Sequence, residues 1–166
     1  MKRSRMSEGA VAVIGIGNPD RGDDAAGREV ARRLRSLAPS GLSIIELEGE
    51  ATAILAAFEG VDAAFIVDAC DSGGLPGKVL RMDAADSNLP GVSFGLSSHG
   101  FGLHEALALA RTLGMLPRRC VVYGIEAASF DIGAPVSATV ELGVEETIER
   151  LRVEIASLAC QGVNDA

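Results

Sequence analysis

Short apolar runs alternate with stretches of helical periodicity along almost the whole chain, and no other feature constrains the fold as strongly. Residues 10–16 read as a first strand. Beyond a glycine-rich turn, Ala26, Val30, Leu34 and Leu37 recur at helical spacing while Arg28, Arg32, Arg33 and Arg35 point elsewhere, and Pro39, Ser40 and Gly41 end that helix. Leu42–Leu47 reads as a second strand and residues 51–58 as a short helix closed by Gly60. Residues 63–67 are a continuous apolar run that stops at Asp68, the pattern of a parallel strand buried on both faces. After the turn at 72–77, residues 78–82 alternate enough to form a strand near a sheet edge. No period is visible in residues 84–98, a loop long enough to suggest function. Leu103, Ala106, Leu107, Ala110 and Leu113 make the next helical stripe, and residues 120–125 another strand. The last helix carries Val144, Ile148, Leu151, Ile155 and Leu158 on one side, with Glu145, Glu146, Glu149, Arg150, Arg152 and Glu154 mostly solvated. Alternation of this kind demands crossover connections, so the expected architecture is an α/β fold with a mostly parallel sheet covered on both faces.

Composition bounds what such a fold can do. At 166 residues and 48% apolar content the chain has the length of one domain with a core that needs no metal or disulfide staple. The expected organisation is a frayed segment at residues 1–9, a single domain at 10–160 and a tail at 161–166; Met6 is an alternative start. A formal charge of −8 repels phosphate backbones and argues against nucleic acid or an anionic membrane as partner. The apolar run at 11–17 is too short for a membrane span or signal peptide. Cys70, Cys120 and Cys160 are odd in number and far apart, which suits a reduced, cytoplasmic setting without a zinc ribbon or disulfide frame.

The stretch at residues 13–27, VIGIGNPDRGDDAAG, is where chemistry is expected to gather. Gly15 and Gly17 allow close backbone approach and Asn18-Pro19 marks a turn. Asp23 is placed as N-cap of a helix beginning near Asp24. In open parallel sheets, ligands bind beyond the carboxyl ends of the strands. Asp24, after the first strand, and Asp68, after the run at 63–67, therefore belong on one edge, and the patternless loop delivers His99. Two carboxylates and an imidazole suit a divalent ion such as nickel or zinc with positions left open. A His just before a helix start is also kept neutral by the dipole. Each residue has a plain alternative: a first-turn helix acid for Asp24, a strand-end turn former for Asp68, a solvated loop residue for His99.

Other constellations are weaker. Cys70 follows Asp68 by two residues and could serve a thiol protease with His99 as base, although a packed thiol is the simpler reading. Cys120 and Cys160 read as core. His104-Glu105 lacks the second histidine of a zinc-protease helix because position 108 is alanine. Ser97 and Ser98 have no nucleophile-elbow glycines. Tyr123 and Glu126 flank a strand end where they could line a groove, with packing the simpler role for Tyr123; Glu46, Glu48 and Glu50 read as a solvated rim.

Four segments in order carry a family resemblance: GIGNPDRGDDAAG at residues 15–27, IVDACDSGGLPGKVLRMD at 66–83, SSHGFGLHEALALAR at 97–111 and YGIEAASFDIGAPVS at 123–137. With them the chain resembles the nickel–iron hydrogenase maturation proteases, endopeptidases that remove a C-terminal extension from the large-subunit precursor. The resemblance implies a three-layer α/β/α sandwich around a mostly parallel twisted sheet. It implies Asp24, Asp68 and His99 as the catalytic, metal-contacting set, and nickel carried by the precursor, with no organic cofactor. Water activation by the metal and by a carboxylate both remain open. At residues 48–52 this chain has Glu-Gly-Glu-Ala-Thr where many relatives carry Asp-Gly-Gly-Thr, which bears on the precursor recognised. The loop at 90–102 is expected to adjust or order on docking. Two rival readings start from the same turn. A peptidyl-tRNA hydrolase shares Gly-x-Gly-Asn-Pro but places a histidine where Arg21, Gly22, Asp23 and Asp24 stand here. A dinucleotide-binding module would set Asp23 and Asp24 against a pyrophosphate.

Overall fold

The structure, a computed structural model, describes residues 9–86 and 100–164. Five strands form one sheet: β1 (Val11–Ile16), β2 (Leu42–Leu47), β3 (Ala63–Cys70), β4 (Val79–Asp83) and β5 (Arg119–Glu126), in the order β2-β1-β3-β5-β4. β1 pairs in parallel with β2 and β3, and β3 with β5; β4 runs antiparallel to β5 at the edge. The helices are α1 (Ala26–Leu37), α2 (Ala51–Ala57), α3 (Gly100–Leu113) and α4 (Ala138–Asn164).

The strand period of two divides the apolar residues between two faces. Val13, Phe65, Val67, Val121 and Tyr123 pack against Val30 and Leu34 of α1 and Val140, Val144, Ile148 and Leu151 of α4. On the other face, Ile14, Ile16, Ile66 and Val122 meet Ile54 of α2 and Leu103, Ala106 and Ala110 of α3. The result is the expected α/β/α sandwich with a mostly parallel sheet. β3 lies at its centre with all eight residues buried, as a continuous apolar run requires.

Several expectations need correction. β3 continues through Asp68 to Cys70, because β5 supplies ladder partners as far as the Cys70–Glu126 pair. Leu37 and Leu113, the final residues of α1 and α3, are exposed rather than core. Cys160 is exposed on α4, whereas Cys120 is buried as expected. The polar residues of α4 are mostly exposed, as expected, apart from Glu154, which Arg81 and Arg119 largely cover. Glu46 is no solvated rim residue, since Arg28, Arg32 and Arg35 close around it at 3.2, 3.7 and 2.9 Å. Of the patternless loop, Ala84 is buried and its N–H donates to the Cys120 carbonyl at 2.7 Å. Residues 87–99, including Ser97, Ser98 and His99, lie outside the described residues, as do residues 1–8. Among the described residues no helix is long and apolar enough to cross a membrane.

Candidate active site

The C-terminal ends of β1, β2, β3 and β5 share one edge of the sheet, and three close backbone approaches build the site there. At Gly17 the chain leaves β1 with φ of 144°, its N–H donating to the Leu47 carbonyl at 3.1 Å at the end of β2. A Cβ at Gly17 would lie 1.8 Å from the Asp24 carbonyl oxygen. A 3-10 turn, Gly22–Ala25, then leads into α1. Gly27, in the first turn of α1, sits directly on the sheet: a Cβ there would be 2.2 Å from the Val67 carbonyl oxygen and 2.4 Å from that of Ile16. Glycine at 27 thus lets the helix rest on the ends of β1 and β3 at once, which carries Asp24 alongside Asp68. α3 begins at the same edge, where a Cβ on Gly102 would be 2.0 Å from the Gly49 carbonyl oxygen.

Asp24 and Asp68 are both fully buried. Asp24 Oδ2 accepts from the Asn18 N–H at 3.1 Å, so the turn at 18–24 orients it. Neither oxygen of Asp68 has a hydrogen-bond partner of good geometry among the described residues. Burial drives the Asp68 carboxyl well above the ordinary carboxylate range, and the neighbouring Asp24 charge pushes it the same way, against a smaller opposing pull from the Ala69 N–H. A buried acid without partners costs stability, so its environment asks for a cation or a proton. Two of the three expected site residues are therefore together; the third, His99, lies outside the described residues. Among the described residues no three His, Cys, Asp or Glu side chains gather as a metal-binding group.

Asp23, adjacent to Asp24, does something else. It is not an N-cap: its carboxylate accepts from the N–H groups of Ala128, Ser129 and Ser137 at 2.8, 3.0 and 2.6 Å and from the Ser137 hydroxyl at 3.0 Å. It holds the connection between β5 and α4 against the turn after β1. Glu126 at the end of β5 does not line a groove either. It is buried and accepts from the Ser72 and Gly74 N–H groups at 2.7 and 3.0 Å, the Ser72 hydroxyl at 2.8 Å and the Cys70 thiol at 3.3 Å. Burial alone would raise its carboxyl; the Ser72 hydroxyl and Cys70 bonds, with the two amides, bring it below the usual range. The signal in the sequence was the Ser72-Gly73-Gly74 run, whose amides are unshielded by large side chains and can wrap an anion.

Cys70 is thereby disqualified as a nucleophile. Burial pushes its thiol far up, the bond to Glu126 adds to this, and nearby carboxylates oppose the thiolate further. Tyr123 has the packing role expected of it, on the α1 and α4 face, with its hydroxyl donating to Glu154. Glu48 and Glu50 are exposed, and His104 is an exposed residue of α3.

The family model for hydrogenase maturation proteases matches residues 29–154. Hydrogenase expression/formation protein HupM of Azotobacter chroococcum mcd 1 is 27% identical over 158 residues, covering 92% of this chain and 73% of that protein. HupD of Rhodobacter capsulatus, under the same description, is 23% identical over 151 residues, covering 86% and 71%. Among solved structures, the hydrogenase maturating endopeptidase HybD from E. coli superposes with a TM-score of 0.75 at 24% identity, covering 89% of this chain and 92% of that one. A [NiFe] hydrogenase maturation protease HycI from Thermococcus kodakarensis KOD1 gives 0.66 at 24% identity, covering 87% and 92%. At these identities the superpositions establish the shared fold.

Proposed function

The chain belongs to the hydrogenase maturation protease family and is an endopeptidase of that kind, and from this premise we propose that it removes the C-terminal extension of a nickel-loaded nickel–iron hydrogenase large-subunit precursor. Asp24, Asp68 and His99 are the residues assigned to contact the nickel carried by that substrate. The observation that carries this reading is Asp68: a fully buried carboxylate with no hydrogen-bond partner among the described residues, beside the equally buried Asp24. Two oxygen-bearing groups of this kind suit a divalent cation, and a nitrogen donor at position 99 fits nickel or zinc; the family membership favours nickel. Held at three points, the metal anchors the precursor so that the scissile bond stays at one position near the dyad, and this positioning supplies much of the rate.

No organic cofactor enters this reading, and the free thiols of Cys70, Cys120 and Cys160 suit action in the cytoplasm. The rival nucleotide readings fare badly on the same geometry, since Asp24 and Asp68 are buried where a pyrophosphate would have to approach α1.

The test is a cleavage assay on nickel-loaded precursor, with product mass as readout. Asp24→Asn, Asp68→Asn and His99→Ala are each expected to slow cleavage by about 100-fold or more, the scale of loss when a group acting in the transition state is removed. Full cleavage by all three variants sinks the assignment.

A further inference from the structure

The two most exposed large apolar side chains among the described residues are Ile132, at 85%, and Leu75, at 80%. Neither sits on a loose excursion. Leu75 belongs to the connection after β3, which Glu126 gathers through Ser72 and Gly74, and whose far end is tied by the Gly77 N–H to the Glu126 carbonyl at 2.7 Å. The Lys78 N–H also donates to the Leu75 carbonyl at 3.0 Å. Ile132 belongs to the connection after β5, which Asp23 gathers through Ala128, Ser129 and Ser137, and which the Gly133 N–H ties to the Asp20 carbonyl at 2.8 Å. Both connections leave the sheet edge that carries Asp24 and Asp68.

Here two buried carboxylates fix the backbone with the apolar groups outward, so the ordering cost of a contact is met before any partner arrives. Resting on the proposed function, we infer that Leu75 and Ile132 form a preformed docking contact for the hydrogenase precursor, with Glu126 and Asp23 as the positioning residues that hold them out. The precursor is the occupant because the first connection follows directly on the strand that bears Asp68, and the second packs on the turn that bears Asp24, where a Cβ on Gly22 would lie 2.9 Å from the Ser129 carbonyl oxygen and 3.3 Å from that of Asp131. Asp71 and Asp131, exposed within the same connections, complete the surface, so the complementary patch on the precursor is apolar with basic edges.

Leu75→Ala and Ile132→Ala should each raise KM for nickel-loaded precursor about fivefold, and the double variant about 20-fold or more, with kcat within twofold of wild type; such losses are ordinary for apolar interface contacts. Leu113→Ala, exposed at the opposite end of α3, is the control and leaves both constants unchanged. Glu126→Gln should raise KM by itself yet add less than twofold in the Leu75→Ala background, because the loop it positions no longer presents the contact. A merely structural Glu126 would lower the melting temperature and multiply independently. Binding of the precursor, measured by interferometry with Asp68→Asn present in every variant, separates the inference from the reading beneath it. If wild type fails to cleave but Leu75→Ala and Ile132→Ala still weaken binding, the function falls and the docking surface stands. If binding and KM match the Asp68→Asn and wild-type references, the docking surface is overturned, whether or not cleavage occurs.

Discussion

On the α4 side of β4 and β5, Glu154 accepts from Arg81 Nε and Nη2 at 2.7 and 2.9 Å, from Arg119 Nη2 at 2.9 Å and from the Tyr123 hydroxyl. These partners, Arg81 foremost, hold its carboxyl down at about 2, while burial and the bond to Glu154 push the Tyr123 phenol up to about 12. Asp68 is more deeply buried, yet among the described residues it has the acid Asp24 for a neighbour and no guanidinium on its oxygens. Among the described residues the first carboxylate has its partners and neither oxygen of the second has one. Where a carboxylate's charge is matched by packed guanidiniums it serves stability; where a buried carboxylate at a strand end lacks such matching it becomes a candidate functional group.

That contrast can be broken experimentally. Asp68→Asn should produce the largest effect and in opposite directions for the two properties: cleavage is lost, while the melting temperature rises by the equivalent of about 1–2 kcal/mol. The sign follows from the raised carboxyl. The folded state holds the Asp68 proton more tightly than the unfolded chain does, so this group's contribution is favourable in acid. It is lost as pH rises above the unfolded value through the folded one. The gain from asparagine should therefore grow with pH, and thermal melts across a pH series read it directly; a melting temperature below wild type at neutral pH would count against an uncompensated charge.

Glu154→Gln should do the reverse, leaving cleavage intact and costing about 1–2 kcal/mol through the two guanidiniums it strands. Its carboxyl lies near 2 when folded against a reference of 4.5, so its contribution is present above about 4.5 and disappears as pH falls through 2. Urea titrations should show wild type and variant converging in strong acid, and a constant gap would contradict the ion-pair origin. The smallest effect belongs to the thiols. Maleimide should label Cys160 alone in the native protein and leave cleavage unchanged, because Cys70 and Cys120 are buried. Modification of native Cys70 with loss of activity would restore the thiol route.

Much of the architecture was legible in local pattern. The period of two in β1, the unbroken apolar run of β3 and the helical stripes of α1 and α4 each depend on neighbours within a few residues, so the layers and the site edge followed from the alternation. Asp24 and Asp68 could be placed together by topology alone. The pattern assigned Asp24 to that edge and Asp23 to a helix cap; the job of Asp23 is what it could not supply.

That job is a tertiary one. The donors to Asp23 come from a connection 105 to 114 residues away, which no local pattern announces. Glu126 was mistaken for a groove residue for the same reason: its partners Ser72 and Gly74 belong to another connection, 54 and 52 residues distant. Glu46 and Glu154 took on guanidiniums from elements that only packing brings near. Apolar burial is set by short-range periodicity, whereas a charged group's role depends on whichever remote partner the packed chain delivers. By itself the sequence determined the sandwich, its buried parallel strand and the edge where Asp24 and Asp68 meet; the tertiary structure decided which carboxylates are held by remote donors, because those donors arrive only when the chain packs.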